Sequence, residues 1–433
     1  MAKSLACLAM ALSFAITWGD DWPQWMGPRR DGQWRETGVL RTFPKEGPKL
    51  LWKVPIAGGY AGPAVAHDHV FVTDFVTDGT RENDPGKRVE LTGKERLHAL
   101  DASTGKTIWT HAYPVTYKIS YPAGPRATPT VQDGVVYMLG AEGNLTALDE
   151  KSGQVRWAKS LKEEYKIEAP IWGFCSHPLI HDGLIYLTVG GEGSVAVALE
   201  AATGKQVWAS LSASEPGYAP PSIIHVGNKP QLIIWHAEAI NSLDPKTGKV
   251  YWSKPLKPNY GMAIMAPQLA ANRLFAGGIG VSLLLELQGD QPSAKELWRG
   301  DTKRGVECVN STPIIDGDYL YGVNRFGQLR CVELATGNHV WESFEATTGN
   351  RSANSGTGFL VKCSDYYFIF SETGDLITAT LSPAGYQEIS RAHLIDPSNE
   401  AFGREVVWSH PAFARRAVFV RNDKEIAAYS LSE

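Results

Sequence analysis

The apolar positions of the chain fall in short runs separated by polar turns, a pattern that predicts β-strands joined by hairpins. One phrase recurs: an apolar run ending in Leu-Asp or a close variant, a turn of the Thr-Gly-Lys type, and a second run that contains tryptophan. Clear copies occupy residues 97–109, 145–157, 199–208, 243–252 and 334–341, and degenerate copies occupy 285–298 and 376–389. Such a repeat indicates an architecture built from one structural unit used several times.

The turn inside this phrase has a physical basis. Asp and Thr side chains cap a type I turn, and Gly takes the left-handed position that closes it. The tryptophan that follows is large enough to fill the wedge between neighbouring sheets that diverge outwards. We therefore predict a structural role for Trp109, Trp157, Trp208, Trp252, Trp298 and Trp341.

The units also begin alike. Each begins with a short segment that usually contains a proline, and an apolar strand follows it. There are eight such starts, at Pro63, Pro129, Pro178, Pro221, Pro267, Pro313, Gly358 and Pro411. Proline is tolerated at this position because the innermost strand of a propeller blade has a free edge. The starts therefore predict eight blades.

The two ends of the repeat region complement each other. The eighth unit stops at residues 426–431 and lacks the strand that would carry its tryptophan. Residues 50–54 contain such a strand, with Trp52, but no unit of their own. We expect the two segments to pair, because this pairing closes the ring and removes both exposed strand edges.

These patterns predict an all-β fold in which residues 50–433 form an eight-bladed β-propeller of four-stranded antiparallel blades. Successive units are about 48 residues apart, a length that suits four short strands and four turns. The N-terminal strand is expected to close the ring by pairing with the C-terminal blade.

Two segments precede the predicted ring. Residues 1–19 have the form of a signal peptide, with Lys3 before an apolar run at 5–16 that is too short to span a bilayer. We expect cleavage near Ala15 to Gly19 and a periplasmic or secreted protein. Residues 20–49 contain several tryptophans and prolines, and we predict that they form a strap on the outside of the ring, anchored by its tryptophans.

Composition and charge exclude some classes of function. The chain has 42 basic and 46 acidic residues, for a net charge of −4, so it has no electrostatic reason to bind nucleic acid or an anionic membrane. Residues after position 19 include no apolar stretch long enough for a membrane helix. We expect no membrane span, and a monomer.

No pattern in the sequence predicts a metal site. The first unit carries a polar insertion at about residues 78–96, but its acidic residues lack the alternating spacing of a calcium-binding loop, so we predict a solvated loop. Cys175, Cys308, Cys331 and Cys363 form no CxxC pair. Buried free thiols are the expected state, with one disulfide as the alternative.

The phrase Ala-Leu-Asp-x-x-Thr-Gly-Lys-x-x-Trp resembles the PQQ-like (pyrroloquinoline-quinone) propeller repeat, including the tryptophan-docking motif of quinoprotein dehydrogenases. The same repeat occurs in the periplasmic assembly factor for outer-membrane β-barrels. The resemblance covers about residues 50–431 and implies the propeller fold. The opening at residues 22–32 also resembles exported PQQ-like repeat proteins. The family implies two activities: oxidation with PQQ and Ca²⁺, or binding without a cofactor.

The chain departs from the quinoprotein alcohol dehydrogenases at residues that carry their function. Those enzymes place a vicinal cysteine pair against the cofactor, and no Cys-Cys occurs here. Their calcium ligands and catalytic aspartate match no motif in this sequence.

Segments that lead into the innermost strands of a propeller crowd around one mouth of its channel, a common place for a ligand. In this chain they carry arginines, carboxylates, amides, histidines and aromatic residues. The candidate pocket residues are Tyr60, Tyr121, Arg126, Glu168, Trp172, His177, Glu215, Tyr218, Tyr260, Met262, Glu307, Asn310, Arg351, Asn354, Arg404 and His410.

These residue types suggest particular contacts. Arginines 126, 351 and 404 can clamp carboxylates in a bidentate manner, or form salt bridges between blades. Trp172, Tyr218 and Tyr260 can stack on a flat ring or a sugar, or simply plug the channel. His177 and His410, each in a Ser-His-Pro sequence, can act as acid–base groups or metal ligands, or bond to neighbouring backbone.

Three functions remain open at this point. The first is a non-catalytic periplasmic binding or scaffold propeller that serves envelope or outer-membrane protein assembly and meets a protein partner. The second is a PQQ-dependent oxidoreductase, of the alcohol or sugar dehydrogenase type. The third is a propeller that binds a glycan or another small molecule at the channel mouth. We favour the first, and expect neither catalysis nor a required cofactor.

Overall fold

Eight four-stranded antiparallel sheets form the blades of a β-propeller, as predicted. The structure is a computed structural model that describes residues 21–349 and 351–433; the predicted signal peptide lies outside the described residues. Innermost strands of neighbouring blades contact each other around the channel. The first strands in chain order are β1 (Gln33–Trp34) and β2 (Leu50–Pro55).

The first four blades follow one another along the chain. Their strands are β3 (Ala64–Ala66), β4 (His69–Val76), β5 (Val89–Asp101) and β6 (Thr107–Ile119); β7 (Thr130–Gln132), β8 (Val135–Leu139), β9 (Asn144–Asp149) and β10 (Val155–Ser160); β11 (Leu179–His181), β12 (Leu184–Thr188), β13 (Ala196–Glu200) and β14 (Gln206–Ser210); β15 (Ser222–Val226), β16 (Lys229–Trp235), β17 (Ala239–Leu243) and β18 (Val250–Pro255). A short helix, α1 (Leu161–Tyr165), follows β10, and a 3₁₀ turn at Asn259–Gly261 follows β18.

The remaining blades continue the same order. Their strands are β19 (Gln268–Ala270), β20 (Arg273–Gly278), β21 (Val281–Gln288) and β22 (Ser293–Gly300); β23 (Ile314–Asp316), β24 (Tyr319–Val323), β25 (Leu329–Glu333) and β26 (His339–Ser343); β27 (Gly358–Cys363), β28 (Tyr366–Ser371), β29 (Asp375–Ser382) and β30 (Gly385–His393); and β33 (Ala412–Ala414), β34 (Ala417–Arg421) and β35 (Glu425–Ser430). A separate hairpin of β31 (Asn399–Ala401) and β32 (Arg404–Val406) lies between the last two blades in sequence.

The ring closes between the two ends of the repeat region, which confirms the sequence prediction. β2 pairs antiparallel with β35 and becomes the fourth strand of the eighth blade, with Trp52 opposite Ala428. The closure pairs a strand near the start of the ring with a strand at its end, so the eighth blade, like the others, has four strands.

Most of the repeat tryptophans join their blade to the next one. The indole N–H of Trp52 donates to the carbonyl of Ala102 at 2.8 Å, and that of Trp109 donates to Glu150 at 3.0 Å. The rings also lie over the glycine of the neighbouring turn: a Cβ at Gly105 or Gly153 would come within 2.7 or 2.6 Å of an indole carbon. These glycines therefore serve both the left-handed turn and the approach of the neighbouring blade.

Four more tryptophans donate to a carbonyl of the next blade in the same way: Trp157 to Ala201, Trp208 to Pro245, Trp298 to Leu334 and Trp341 to Ser382. Trp252 differs, because its indole N–H donates to the Gln231 side chain within its own blade. The structural role predicted for the repeat tryptophans is consistent with these contacts.

The first part of the strap does not lie on the outside of the ring, contrary to our prediction, whereas its second part contacts the outermost strand of the seventh blade, where the backbone N–H of Phe43 donates to the hydroxyl of Ser390. Trp22 exchanges two backbone hydrogen bonds with Val65 of β3, the innermost strand of the first blade. β1 pairs in parallel with β27, the innermost strand of the seventh blade. Residues 22–34 therefore follow free inner edges of the blades, where unpaired backbone groups need partners.

The tryptophans of the strap anchor it, as predicted. Trp22, Trp25 and Trp34 are all buried. Arg30 reaches further across the ring and donates to the carbonyls of His177 and Pro178 at 3.3 and 3.0 Å. Burial lowers the pKa of Arg30 to about 9. Because the strap contacts several blades, it adds a second connection across the closed ring.

We expect Trp52→Ala to destabilise the protein by about 3–5 kcal/mol, the usual cost of removing a buried aromatic side chain. The substitution removes the indole from Gly105 and leaves the carbonyl of Ala102 without its donor. Urea unfolding, followed by tryptophan fluorescence and circular dichroism, measures the change. Leu51→Ala is the matched control on the same strand, because its side chain is 44% exposed and its loss is expected to change stability by less than about 0.5 kcal/mol. Equal effects of the two variants would contradict a role for Trp52 in ring closure.

Candidate functional site

A cavity of about 580 Å³ opens where the segments leading into the innermost strands meet. Its volume lies within the range of small-molecule sites in proteins. Eleven of the sixteen predicted residues line it: Tyr60, Tyr121, Arg126, Trp172, His177, Tyr218, Tyr260, Met262, Asn310, Asn354 and His410. The propeller thus brings together residues that are far apart in sequence.

Three predicted residues are exposed and are not part of the cavity wall. They are Glu168, Glu215 and Arg351. Two others are committed to the protein itself. Glu307 is buried and accepts the backbone N–H of Gly280 at 2.6 Å. Arg404 forms a bidentate pair with the buried Glu372, at 2.7 and 3.0 Å.

Other lining residues were not predicted: Trp25, Gly62, Pro85, Gly86, Cys175, Pro220, Ile264, Ile279, Val309, Ser311, Thr312, Arg325, Ser355, Phe402 and Trp408. Some of these follow a simple rule. In an antiparallel blade the turn between the second and third strands lies at the same end as the start of the first strand. Pro85, Ile279 and Arg325 lie in such turns, so this rule could have found them.

The polar insertion of the first blade is not simply a solvated loop, contrary to our prediction. Its second part belongs to β5. Its first part reaches the β31–β32 hairpin, because the side chain of Asn83 donates to the side-chain oxygen of Asn399 and to the carbonyl of Glu400, both at 2.8 Å. The carbonyl of Pro85 accepts from the indole of Trp172 at 3.2 Å. The insertion therefore forms part of the cavity wall.

Aromatic rings dominate the wall, and three of them are held in an unusual backbone conformation. Tyr121, Tyr260 and Phe402 have φ values of 51°, 61° and 51°. Bulky residues rarely adopt the left-handed region, and such strain persists only where the surrounding structure fixes it. Tyr260 is 73% exposed and Phe402 is 44% exposed, so the strained backbone presents apolar rings at the rim of the cavity.

Arg126 is a structural clamp. Its guanidinium donates to the carbonyls of Trp172, Ser120 and Tyr121 at 2.8, 2.8 and 2.5 Å, and also to that of Gly124. Four of its five N–H groups are therefore occupied by backbone. It holds two mouth segments together and has little capacity left for a ligand carboxylate.

The guanidinium of Arg325, in contrast, is held by an aromatic ring and not by backbone carbonyls of the described chain. It lies over the ring of Phe326, 4.5 Å from the centroid. Within residues 21–349 and 351–433, no carboxylate or carbonyl accepts a hydrogen bond from its side chain. A cation–π contact orients a guanidinium while leaving its N–H groups free. Arg325 is therefore a pre-oriented cation on the cavity wall.

The two histidines pack against the strap. Trp25 stacks on His177 with centroids 4.8 Å apart and meets His410 edge-on at 5.8 Å. Nδ1 of His177 accepts the backbone N–H of Thr128 at 2.9 Å, which leaves the proton of the neutral ring on Nε2. Burial lowers the pKa of His177 far below its usual range and that of His410 to about 3. Both rings are therefore neutral at neutral pH.

No Asp or Glu lies on the cavity wall in the described part of the chain. Burial raises the pKa of the Cys175 thiol to about 11, and its Sγ donates to the carbonyl of Trp172 at 3.3 Å. All four cysteines of the described chain are free thiols, as expected, and three are buried.

The described residues do not fit a PQQ–calcium site. Nowhere in residues 21–349 and 351–433 do three His, Cys, Asp or Glu side chains converge in a way that could hold a metal ion. Calcium prefers several oxygen ligands with carboxylates among them. The described part of the cavity wall supplies no carboxylate. PQQ itself carries three carboxylates, and Arg325 is the single uncommitted arginine that we find on the described wall.

A family model described as outer membrane protein assembly factor BamB matches residues 93–343, more than half of the chain. The chain belongs to this family. This confirms the resemblance inferred from the repeat phrase.

The curated relatives include both assembly factors and quinoprotein dehydrogenases. BamB of Shewanella oneidensis is 25% identical over 225 residues, which cover 50% of this chain and 56% of that protein. Quinoprotein ethanol dehydrogenase of Pseudomonas aeruginosa is 25% identical over 218 residues, covering 46% of this chain and 34% of that enzyme. The chain thus spans about half or less of the length of these two relatives.

Solved structures support the fold. BamB from Moraxella catarrhalis aligns with a TM-score of 0.57 at 14% identity, covering 88% of this chain and 99% of that one. Quinohemoprotein alcohol dehydrogenase from Comamonas testosteroni gives a TM-score of 0.61 at 14% identity, covering 95% and 80%. At this identity the likeness concerns the fold alone. In the described chain, no helix is both long and apolar enough to cross a membrane.

We expect Arg126→Met to lower the free energy of unfolding by about 3 kcal/mol or more, because it leaves several buried carbonyls without a donor. Arg325→Met is the matched control, and we expect it to change stability by less than about 0.5 kcal/mol. Urea unfolding of both variants gives the comparison. An Arg126→Met protein as stable as the wild type would contradict the role of this arginine as a structural clamp.

Proposed function

We propose that the protein is a non-catalytic binding propeller of the periplasm that holds part of a partner at the channel mouth and serves the assembly of envelope proteins. The observation that carries this proposal is the rim of strained, exposed aromatic rings around a cavity whose described wall contains no carboxylate. Exposed apolar rings on a soluble domain are typical of interaction sites. The description of the family, an outer membrane protein assembly factor, supports the role in assembly.

Membership of the family alone would not point to the mouth, because propellers with one fold serve many functions. The backbone of Tyr260 and Phe402 gives the additional argument. A left-handed conformation costs a bulky residue on the order of 1–2 kcal/mol. That cost is retained at two residues outside the core, since Tyr260 is 73% and Phe402 is 44% exposed. Binding is the explanation that we favour for its retention.

Location in the periplasm rests on the sequence of residues 1–19, which has the form of a signal peptide. The relatives called BamB are named as outer membrane protein assembly factors. In the periplasm, the channel mouth would be accessible to outer-membrane proteins on their way to the membrane. The proposed site and the role named for the family would then lie in the same compartment.

A cell that lacks this protein should contain less folded β-barrel protein in its outer membrane. Restoring the wild-type chain should restore the barrels, whereas a chain with Tyr260→Ala and Phe402→Ala should fail, because it keeps the fold but loses the aromatic rim. Heat-dependent gel mobility of the outer-membrane barrels measures the folded fraction.

The matched control for that experiment is Val340→Ala, whose side chain is 43% exposed on the outer strand of the sixth blade. It should restore the barrels fully. Circular dichroism of the purified variants checks that all three proteins are folded. Full restoration by the double variant would contradict a role for the mouth, and unchanged barrels in the deleted cell would contradict the assembly function.

We expect no saturable binding of PQQ with Ca²⁺ at high micromolar concentration, because the wall supplies no calcium carboxylates and a single uncommitted arginine for three ligand carboxylates. Titration calorimetry of the purified chain tests this, with a quinoprotein dehydrogenase apoenzyme as the positive control. Saturable binding that Arg325→Met weakens would contradict the non-catalytic proposal and favour the oxidoreductase alternative.

A further inference from the structure

The chemistry of the cavity wall narrows the class of ligand, if the mouth is the binding site proposed above. Several buried polar atoms on the wall have no partner in the described structure. These atoms include the hydroxyl of Tyr121 and the indole N–H of Trp25. Buried polar groups are normally hydrogen-bonded, so orphaned ones indicate a missing partner.

Neutral donors and acceptors of both kinds surround these atoms. His177 keeps an N–H on Nε2, as described above. The amide nitrogen of Asn310 donates to the hydroxyl of Thr357 at 2.9 Å, which leaves its Oδ1 as an acceptor. Hydroxyl groups both donate and accept, so a ligand rich in hydroxyls satisfies a mixed wall of this type better than an acceptor-only or donor-only ligand.

The same ligand must also have an apolar face. Tyr260 and Phe402 present exposed rings at the rim, and Trp172 packs beside Tyr218 with centroids 5.5 Å apart. Aromatic rings bury apolar surface against a flat partner while polar groups around them bond its edge. A pyranose ring has this combination of an apolar C–H face and a hydroxylated edge.

The charge of the wall adds one requirement. Arg325 is oriented by Phe326 and remains without an ion pair among the described residues, while the wall contains no carboxylate to repel an anion. A planar guanidinium matches a carboxylate in a bidentate manner. The wall is therefore complementary to a ligand with a single negative charge and not to a cation.

An extended peptide fits this surface less well. Recognition of a peptide main chain usually uses a row of unpaired backbone groups along one strand edge. The inner edges of β3 and β27 are already paired with the strap. The cavity wall is instead composed of single side chains from many separate segments.

We propose that the channel mouth is a carbohydrate site for an oligosaccharide that carries a carboxylate. Sugar rings of the oligosaccharide stack on Tyr260 and on Phe402 at the rim. Their hydroxyls bond the neutral groups deeper in the cavity, and the carboxylate pairs with Arg325. This inference deepens the proposed function, since it names the chemistry of the partner held at the mouth.

A printed array of neutral, N-acetylated and uronate-containing oligosaccharides, probed with the fluorescently labelled chain, tests the inference. We expect saturable binding that is strongest for the uronate-containing members. Tyr260→Ala with Phe402→Ala should abolish the signal, and Val340→Ala should leave it unchanged. No saturable signal for any uronate-containing member would overturn the inference.

The role of Arg325 is tested with matched ligands. Calorimetry compares the best uronate from the array with its methyl ester, which keeps the ring and removes the charge. We expect the acid to bind roughly tenfold more tightly, which corresponds to about 1.4 kcal/mol. Arg325→Gln should remove this preference while leaving the ester's affinity unchanged. Equal affinities of acid and ester for the wild-type chain would overturn the assignment to Arg325.

The two proposals fail in different ways. If no uronate binds but the rim variant still fails to restore outer-membrane barrels, the carbohydrate inference is overturned and the assembly function stands. If uronates bind through Arg325 but cells without the protein keep normal outer-membrane barrels, the ligand class is supported and the assembly function is overturned.

Discussion

The contact of a tryptophan with the turn glycine of the next blade is the interaction on which the rest of this structure depends. An indole ring fills the wedge between two diverging sheets, and its N–H satisfies a carbonyl of the neighbouring turn. The turn can accept the ring because glycine has no Cβ, and the same glycine closes the turn in the left-handed conformation. One short phrase of sequence therefore determines both the local hairpin and the contact between blades.

A ring held together at its periphery leaves its centre free to vary. The tryptophans lie on the outermost strands, far from the channel, so substitutions at the mouth leave the tryptophan contacts in place. The mouth can then carry features that would be costly in a core, such as the left-handed backbone at Tyr260 and an unpaired Arg325. This separation explains why one repeat family contains proteins named as enzymes and others named as assembly factors.

The sequence predicted what depends on local chemistry and repetition. The number of blades, their starts and the closure by Trp52 all follow from patterns that recur in each unit. The path of the strap does not recur, and its position is set by free inner strand edges such as that of β3, which no local pattern reveals. Eleven of the sixteen residues predicted before the innermost strands line the cavity, whereas residues in the second turn of a blade, such as Arg325, were not predicted.

The arginines show why a site cannot be read from residue types alone. Arg126 stands in a mouth segment and lines the cavity, yet four carbonyls surround it, so its charge is already solvated by backbone. Arg325 lies in an inconspicuous turn, and an aromatic ring supports it without satisfying its donors. Availability for a ligand depends on what the folded chain leaves unpaired, which is a property of the three-dimensional arrangement. In the function proposed here, binding therefore depends on the few polar groups at the mouth that have no partner among the described residues.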